Sequence, residues 1–373
     1  MMRPEPKSPG QIKGWCPGAH RPMLSGDGYI VRIRPRLARL SADQVQGLAD
    51  AALRHGSGVI DLTSRANLQV RGVKEAGIDP LLQDLARLDL LDADAETETR
   101  RNVLVAPDWR AGDLTHRLAV ALLNRLADLP PLPAKFGFAI DTGDSRLLAG
   151  ASADIRIECG PNGLILRADG AALGQPVDEA QAMDQAIAMA NWFVAKGAPG
   201  RMARLVASGA TMPGWTEPPK SQPTTPEIAA LMRPGPHEFG AVVGFAFGQM
   251  TAHELLSLPA VPLRVTPWRM LLLEGVQHAM SAPDPTLMLV DACPGAPFCP
   301  ASTVETRGLA RAVARAGLHV SGCAKGCARP RPAAMTLVGR EGRFDLVLAG
   351  SPWDRPSRTG LLPDLVQGAL DAL

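Results

Sequence analysis

"VIDLTSRANLQVRGV", residues 59–73, and "PLRVTPWRMLLLEGV", residues 262–276, decide the fold, because they read as two copies of one pattern. Laid side by side without gaps, Thr63 falls on Thr266, Gly72 on Gly275 and Val73 on Val276. Each copy reads as a strand, a Thr-containing turn and a second strand. Working outward, each is preceded by a further strand and a capped helix. In the first copy the strand is "GYIVRIR", and Ser41 with Gln44 forms a capping box. The helix that follows carries Val45, Leu48, Ala49 and Ala52 on one face and stops near Gly56. In the second copy "FGAVVGFAFG" is the strand, and Thr251 with Glu254 opens a shorter helix.

Each repeat is followed by a longer α/β segment. The first runs through "RRNVLVAP", a helix from about Leu114 to Leu129, the strand pair "ADIRIECGPNGLILRADG", and a helix from Val177 to Lys196 ending at Gly197. The second runs through "TLMLVDACP", a helix from about Thr303 to Ala316, and the strand pair "AAMTLVGREGRFDLVLAG". Both strand pairs turn through Gly-x-x-Gly, at Gly160/Gly163 and Gly339/Gly342. The expected organisation is α+β: duplicated ferredoxin-like half-domains at 14–75 and 238–280, and two α/β domains at 98–212 and 285–373, related by a pseudo-two-fold. A proline-dense linker at 213–237 joins the halves.

At 373 residues, 46% hydrophobic and 20% charged, the chain has ample material for buried cores. Its 39 basic residues nearly balance 37 acidic ones, which points away from nucleic acid and from a membrane surface. No apolar run reaches the length of a membrane span, and the polar "MMRPEPKSPGQIKG" has no signal-peptide core. The expected compartment is the cytoplasm, where paired cysteines hold metal or do redox chemistry more often than they form disulfides.

Four of the six cysteines lie in "ACPGAPFCPASTVETRGLARAVARAGLHVSGCAKGCARP". Cys293 and Cys299 are spaced C-x5-C, 23 residues intervene, and Cys323 and Cys327 follow as C-x3-C. Four thiolates on two loops suit a tetrahedral zinc or a four-iron cluster. The Pro/Gly-rich gap of five wraps a wider object than a zinc knuckle does, and the small residues of "SGCAKGC" let backbone N–H groups approach cluster sulfides. Both ligations remain open on spacing alone, with the iron–sulfur one favoured. Cys159 falls in a strand and reads as core, and Cys16 as a loop thiol near His20.

The first half also concentrates arginine. Arg32, Arg34 and Arg36 alternate along the first strand and its end, so Arg32 and Arg34 share a face. Arg65 and Arg71 flank the turn "TSRANLQVR", and Arg100 and Arg101 open "RRNVL". Singly these suit a solvated face; together they suit carboxylates, which guanidinium groups bind in pairs of hydrogen bonds. The matching stretches of the second half are mostly apolar. The seven histidines show no His-x-Asp or His-x-x-His spacing, and no G-x-G-x-x-G follows a strand.

Together these features resemble the siroheme-dependent sulfite and nitrite reductase superfamily over nearly the whole chain. That family has the same C-x5-C…C-x3-C motif, and its last cysteine, here Cys327, bridges cluster and siroheme iron. Its "LTxRQxxQ" is matched by "LTSRANLQV", its "NRNVL" by "RRNVL", and its "LPRKFK" by "LPAKFG", which keeps Lys135 and has Gly137 in place of a second lysine. The N-terminal "GWCPGAHRPMLSGDGYIVRI" is similar to the precorrin-3B synthase branch.

The resemblance implies a [4Fe–4S] cluster on Cys293, Cys299, Cys323 and Cys327, with a second, mononuclear iron. It implies O2-dependent hydroxylation of a tetrapyrrole, precorrin-3A, with closure of a γ-lactone, in aerobic cobalamin synthesis. Arg32, Arg34, Arg65 and Arg101 would position the tetrapyrrole carboxylates, and Asn67, Gln69 and Asn102 would supply neutral hydrogen bonds. Arg101 matches a substrate-contacting arginine, and Lys135 would stabilise a developing oxyanion at the reacting centre. Electrons would come from an external donor or an NADH-dependent reductase. The alternatives are a siroheme sulfite or nitrite reductase, which would hold siroheme as cofactor, and a non-catalytic cluster or zinc module indifferent to the arginines.

Overall fold

The computed structural model describes residues 17–197, 200–221, 231, 233–278 and 284–373, which leaves Cys16 outside the described residues. The two sequence repeats build two antiparallel five-stranded sheets. In the first, the spatial order is Met23–Ser25, Gly28–Ile33, Leu68–Val73, Val59–Leu62 and Gln249–Thr251. In the second it is Gly235–His237, Gly240–Gly244, Met270–Glu274, Leu263–Val265 and Arg39–Leu40. Each half therefore lends its edge strand to the other's sheet. The exchange closes one edge of each sheet, and Arg39 anchors it with two hydrogen bonds to Glu274 at 2.9 and 2.8 Å.

The duplication extends to backbone conformation. Ala66 and Arg269 occupy equivalent turn positions and both are left-handed, with φ of 52° and 62°. Gly72 and Gly275 repeat the same match at 68° and 76°. A left-handed non-glycine residue costs about 1–2 kcal/mol, so its recurrence shows that the strand–turn–strand geometry demands it. Both capping boxes form in full, Ser41 with Gln44 and Thr251 with Glu254. The helix Ala42–His55 buries Leu48, Ala49, Ala51 and Ala52 completely. These residues join Val31, Ile33, Leu68 and Leu271–Leu273 of the two sheets in one continuous core. Truncating Leu48 to alanine there would cost about 2–5 kcal/mol.

The α/β segments are also duplicates. Val103–Val105, Phe138–Asp141 and Ile155–Gly160 run parallel, then Gly163–Ala168 and Gln175–Pro176 turn back antiparallel. Asp291–Ala292, Leu318–Ser321 and Ala333–Arg340 repeat the parallel trio, and Arg343–Gly350 and Arg358–Leu361 the antiparallel return. Each sheet has its own core, built on Phe138, Ile157 and Phe193 in one and on Val320, Leu337 and Phe344 in the other. Arg264 of the second repeat donates to the carbonyls of Pro107 and Trp109, tying that layer to the first α/β sheet. The fold is thus α+β, with duplicated ferredoxin-like halves and two α/β reductase-type units. No helix of the described residues is long and apolar enough to cross a membrane.

Several elements are shorter than their periodicity predicts. The helix expected over 303–316 is confined to Arg307–Val313. Its intended first turn is occupied elsewhere: the Ser302 amide reaches the Cys299 carbonyl at 3.0 Å, and the Val304 carbonyl accepts from Ala296 at 2.8 Å. At the far end Ala314 is left-handed and stops it. In "TLMLVDACP" only Asp291–Ala292 is strand, and Leu287–Leu289 forms a 3-10 turn. The strand expected over 239–248 ends at Gly244, and the chain kinks at Phe247. The helix expected from 114 to 129 ends at Asn124 and continues as a 3-10 turn, Leu126–Asp128.

Candidate functional site

Parallel strand pairing brings the cysteines together. Asp291–Ala292 pairs with Leu318–Ser321, Ala292 beside Val320, so both strands deliver their C-terminal ends to one edge of the sheet. Cys293 leaves one strand there and Cys323 leaves the other two residues beyond its end, a placement where open α/β sheets hold ligands. The Gly322 amide donates to Cys293 Sγ at 3.1 Å. Ser321 Oγ donates to the Cys323 carbonyl at 2.7 Å, and Thr306 Oγ1 to the Cys293 carbonyl at 2.5 Å. Small residues are required: a Cβ on Gly322 would meet Ser302 Oγ at 2.3 Å, and one on Gly295 would meet Thr306 Oγ1 at 2.4 Å.

None of these thiols is in a disulfide. Burial pushes the Cys293 thiol up; the Gly322 and Gly295 amides oppose the shift, and Cys299 and Cys323 add to it. Cys327 sits at the surface, yet the protein around its sulfur, followed by the other three thiols, pushes it up to about 11. Cys327 thus senses the other three thiols, and Cys293 senses Cys299 and Cys323. Among the described residues, however, no three His, Cys, Asp or Glu side chains close on a single-ion site, so none is assigned to a mononuclear iron. Thiols carried on two loops at the ends of paired parallel strands, one with a backbone N–H aimed at its sulfur, suit a group held from both loops. They fit a [4Fe–4S] cube, whose corners need separate thiolates.

The arginines of the first half lie beside the first α/β sheet. Arg34, Asn67 and Arg101 line one small cleft with Ala66 and Leu37. Arg65, Asn67 and Asn102 line its neighbour with Gly137 and Ser152. Arg32 and Gln69 are cross-strand partners and hydrogen-bonded at 2.8 Å. Arg65 donates to the Lys135 carbonyl at 3.1 Å and thereby anchors the loop that carries this half-buried lysine. The Asn102 amide is spent on the carbonyls of Thr99, Ala134 and Phe136, so it shapes that loop.

Sequence reasoning missed the acids. Arg34 meets Glu98 at 2.8 Å and Arg101 meets Asp92 at 2.7 Å, all four side chains being buried. Glu98 also accepts from the amides of Ala19 and His20, fixing the start of the described chain beside the cleft. The signal was present in the acidic "LDADAETETR" before Arg101, but it gives no indication of which carboxylates turn inward. Cys159, expected as core, is half-buried, its sulfur 3.4 Å from the Thr142 carbonyl.

Gly137 has a steric meaning. A Cβ there would stand 2.9 Å from the Asn102 carbonyl oxygen. Its own amide is held by Asp154 at 2.9 Å, and its carbonyl accepts from Asp154 and Ile155. The backbone around position 137 is packed for glycine, and a side chain there would force the Asn102 carbonyl to shift.

Three comparisons place this geometry among known proteins. Residues 21–88 match the family model described as the nitrite/sulfite reductase ferredoxin-like half domain. A curated precorrin-3B synthase from Sinorhizobium sp is 29% identical, the match spanning 92% of this chain and 84% of that protein. The structure of the Mycobacterium tuberculosis NirA protein superposes with a TM-score of 0.63 at 16% identity, covering 92% of this chain and 79% of that one. The chain thus resembles precorrin-3B synthase and, more broadly, the nitrite/sulfite reductase superfamily, as its motifs indicated.

Proposed function

We propose that this chain is an iron–sulfur oxidoreductase of the precorrin-3B synthase type, a monooxygenase whose tetrapyrrole is its substrate. What supports the reading is the parallel strand pairing that delivers Cys293 and Cys323 to one end of the sheet, with Cys299 and Cys327 on the same two loops, in a chain similar to a precorrin-3B synthase over 92% of its length. When bound, the [4Fe–4S] cluster supplies single-electron transfer. One oxygen atom of O2 enters precorrin-3A and the other leaves as water, using two electrons from an external donor and two protons. A peripheral acetate then closes the γ-lactone: its carboxylate oxygen bonds to the ring carbon beside the oxygenated one as that carbon's bond to the new oxygen breaks, and the acid proton ends on the resulting hydroxyl.

The protein's share is positioning. Arg32, Arg34, Arg65 and Arg101 receive acetate and propionate groups, while Glu98 and Asp92 keep two of these charges compensated until substrate arrives. Asn67 and Gln69 add neutral hydrogen bonds. Lys135, on the loop held by Arg65 and Asn102, is assigned to balance developing negative charge. The packing at Gly137 favours this reading over sulfite reduction, which uses a second lysine there.

The test is anaerobic purification with iron, sulfide and zinc analysis beside the visible spectrum, followed by turnover of precorrin-3A under O2. About four irons and four sulfides per chain, no chlorin-type band, and oxygen-dependent product support the reading. A strong red-region siroheme band would favour the reductase, and zinc without sulfide would overturn both.

A further inference from the structure

Both cysteine loops are pinned from outside, each by an arginine of a different ferredoxin-like half. On the Cys293–Cys299 loop the pinned atom is the carbonyl of Phe298, immediately before Cys299. It accepts from Ser25 Oγ at 2.6 Å, from the Gly26 amide at 3.1 Å and from Arg71 Nη2 at 3.3 Å. The approach is so close that a Cβ on Gly26 would lie 2.0 Å from the Pro297 carbonyl. Arg71 is itself immobilised, 3% exposed, between Asp27 at 2.8 Å and Asp61 at 3.1 Å. Asp61 also receives Arg307, the first residue of the helix that follows the loop, at 3.2 Å.

On the other loop the pinned atom is the carbonyl of Ala328, immediately after Cys327. Arg269 Nη2 donates to it at 2.6 Å. Arg269 Nη1 stands 3.6 Å from Asp291, two residues before Cys293, and Asp291 holds Arg329, two residues after Cys327, at 3.0 Å. Only glycine lets the Arg269 stem pass, since a Cβ on Gly248 would lie 2.7 Å from it. Charge-assisted bonds from a rigid guanidinium hold direction as well as distance.

We infer that Arg71 and Arg269 are positioning residues for the four thiols, each fixing the backbone next to the outermost cysteine of one pair. This deepens the cluster assignment and rests on it. Because Arg71 belongs to one half and Arg269 to the other, the cysteine geometry depends on how the two halves are docked.

The experiment uses the full chain, reconstituted anaerobically with iron and sulfide, as parent, Arg269→Ala, Arg269→Lys and Ser25→Ala, with Arg117→Ala as a distant control. Iron release to a ferrous chelator and the electron paramagnetic resonance of the reduced protein are recorded, with circular dichroism melts to establish folding. In the iron-free chain, alkylation rates of Cys327 and Cys299 are followed by mass spectrometry. Arg269→Ala is expected to release iron ~10-fold faster, to shift the resonance, and to expose Cys327 to faster alkylation, with lysine restoring much of the loss. Ser25→Ala should act in the same sense on Cys299, and Arg117→Ala should match the parent. A folded Arg269→Ala whose release, resonance and alkylation equal the parent's overturns the inference alone. A parent that takes up no iron and sulfide overturns the cluster assignment and the inference with it.

Discussion

The guanidinium of Arg101 lies 2.7 Å from the carboxylate of Asp92, their side chains keeping 9% and 6% of their exposure. The resemblance implies that Arg101 contacts substrate, and in this structure its charge is already answered from within. Removing one member of such a pair strands the other. Arg101→Ala is expected to cost about 3–5 kcal/mol in urea unfolding, and the double variant with Asp92→Ala to recover part of it. Asp92→Asn keeps the arginine and frees its charge. It should lower stability yet tighten binding of a carboxylated porphyrin, read by fluorescence quenching; unchanged binding would remove Arg101 from the carboxylate-binding set.

The cluster cysteines and Cys159 should separate cleanly. Serine at Cys293, Cys299, Cys323 or Cys327 is expected to lower iron and sulfide to a small fraction of the parent's. Cys159→Ser lies on the other α/β sheet and should leave both unchanged, as elemental analysis of anaerobic preparations will show.

Gly137 offers a steric test. Gly137→Ala forces its Cβ against the Asn102 carbonyl and should cost about 1–3 kcal/mol. Gly137→Lys, which restores the reductase motif, should destabilise at least as much and yield no sulfite reduction. A lysine variant as stable as the parent would show that the strand yields easily.

Two buried groups give opposite pH slopes. His319 is completely buried and neither ring nitrogen has a hydrogen-bond partner; burial, with Arg329 and Arg269 against Asp291, lowers it to about 4. The unfolded chain then binds the extra proton between about 6.5 and 4, so stability falls as pH drops through that window. His319→Leu should gain on the parent across it, by an amount on the order of 3 kcal/mol. Burial raises Asp141 to about 7, the Leu148 amide opposing, so its contribution is lost as pH climbs from about 4 to 7. Asp141→Asn should gain in that direction and level off above 7. Urea unfolding at pH 5 and pH 8 distinguishes the two; parallel curves for variant and parent would show the group titrates normally.

Much of this protein was written locally. The repeat at 59–73 and 262–276, the capping boxes at Ser41 and Thr251 and the hairpin closed by Gly160 and Gly163 rest on interactions a few residues apart, so periodicity and spacing determined them; the second hairpin turns one residue later than its Gly-x-x-Gly predicts, at Glu341–Gly342 between Arg340 and Arg343. The C-x5-C and C-x3-C spacing is likewise local, and it is what singles out the four thiols as candidate ligands. Tertiary structure alone decided the rest. Exchange of Gln249–Thr251 and Arg39–Leu40 between sheets is invisible in sequence because edge-strand partners are chosen by docking. Neither Asp92 nor Glu98 announces its arginine, since pairing across a fold depends on which carboxylate is left facing inward. The same holds for Arg71 on Phe298 and Arg269 on Ala328, contacts of 227 and 59 residues' separation. A guanidinium that must satisfy a distant carbonyl has no local signature; only the assembled layers bring the two within a hydrogen bond.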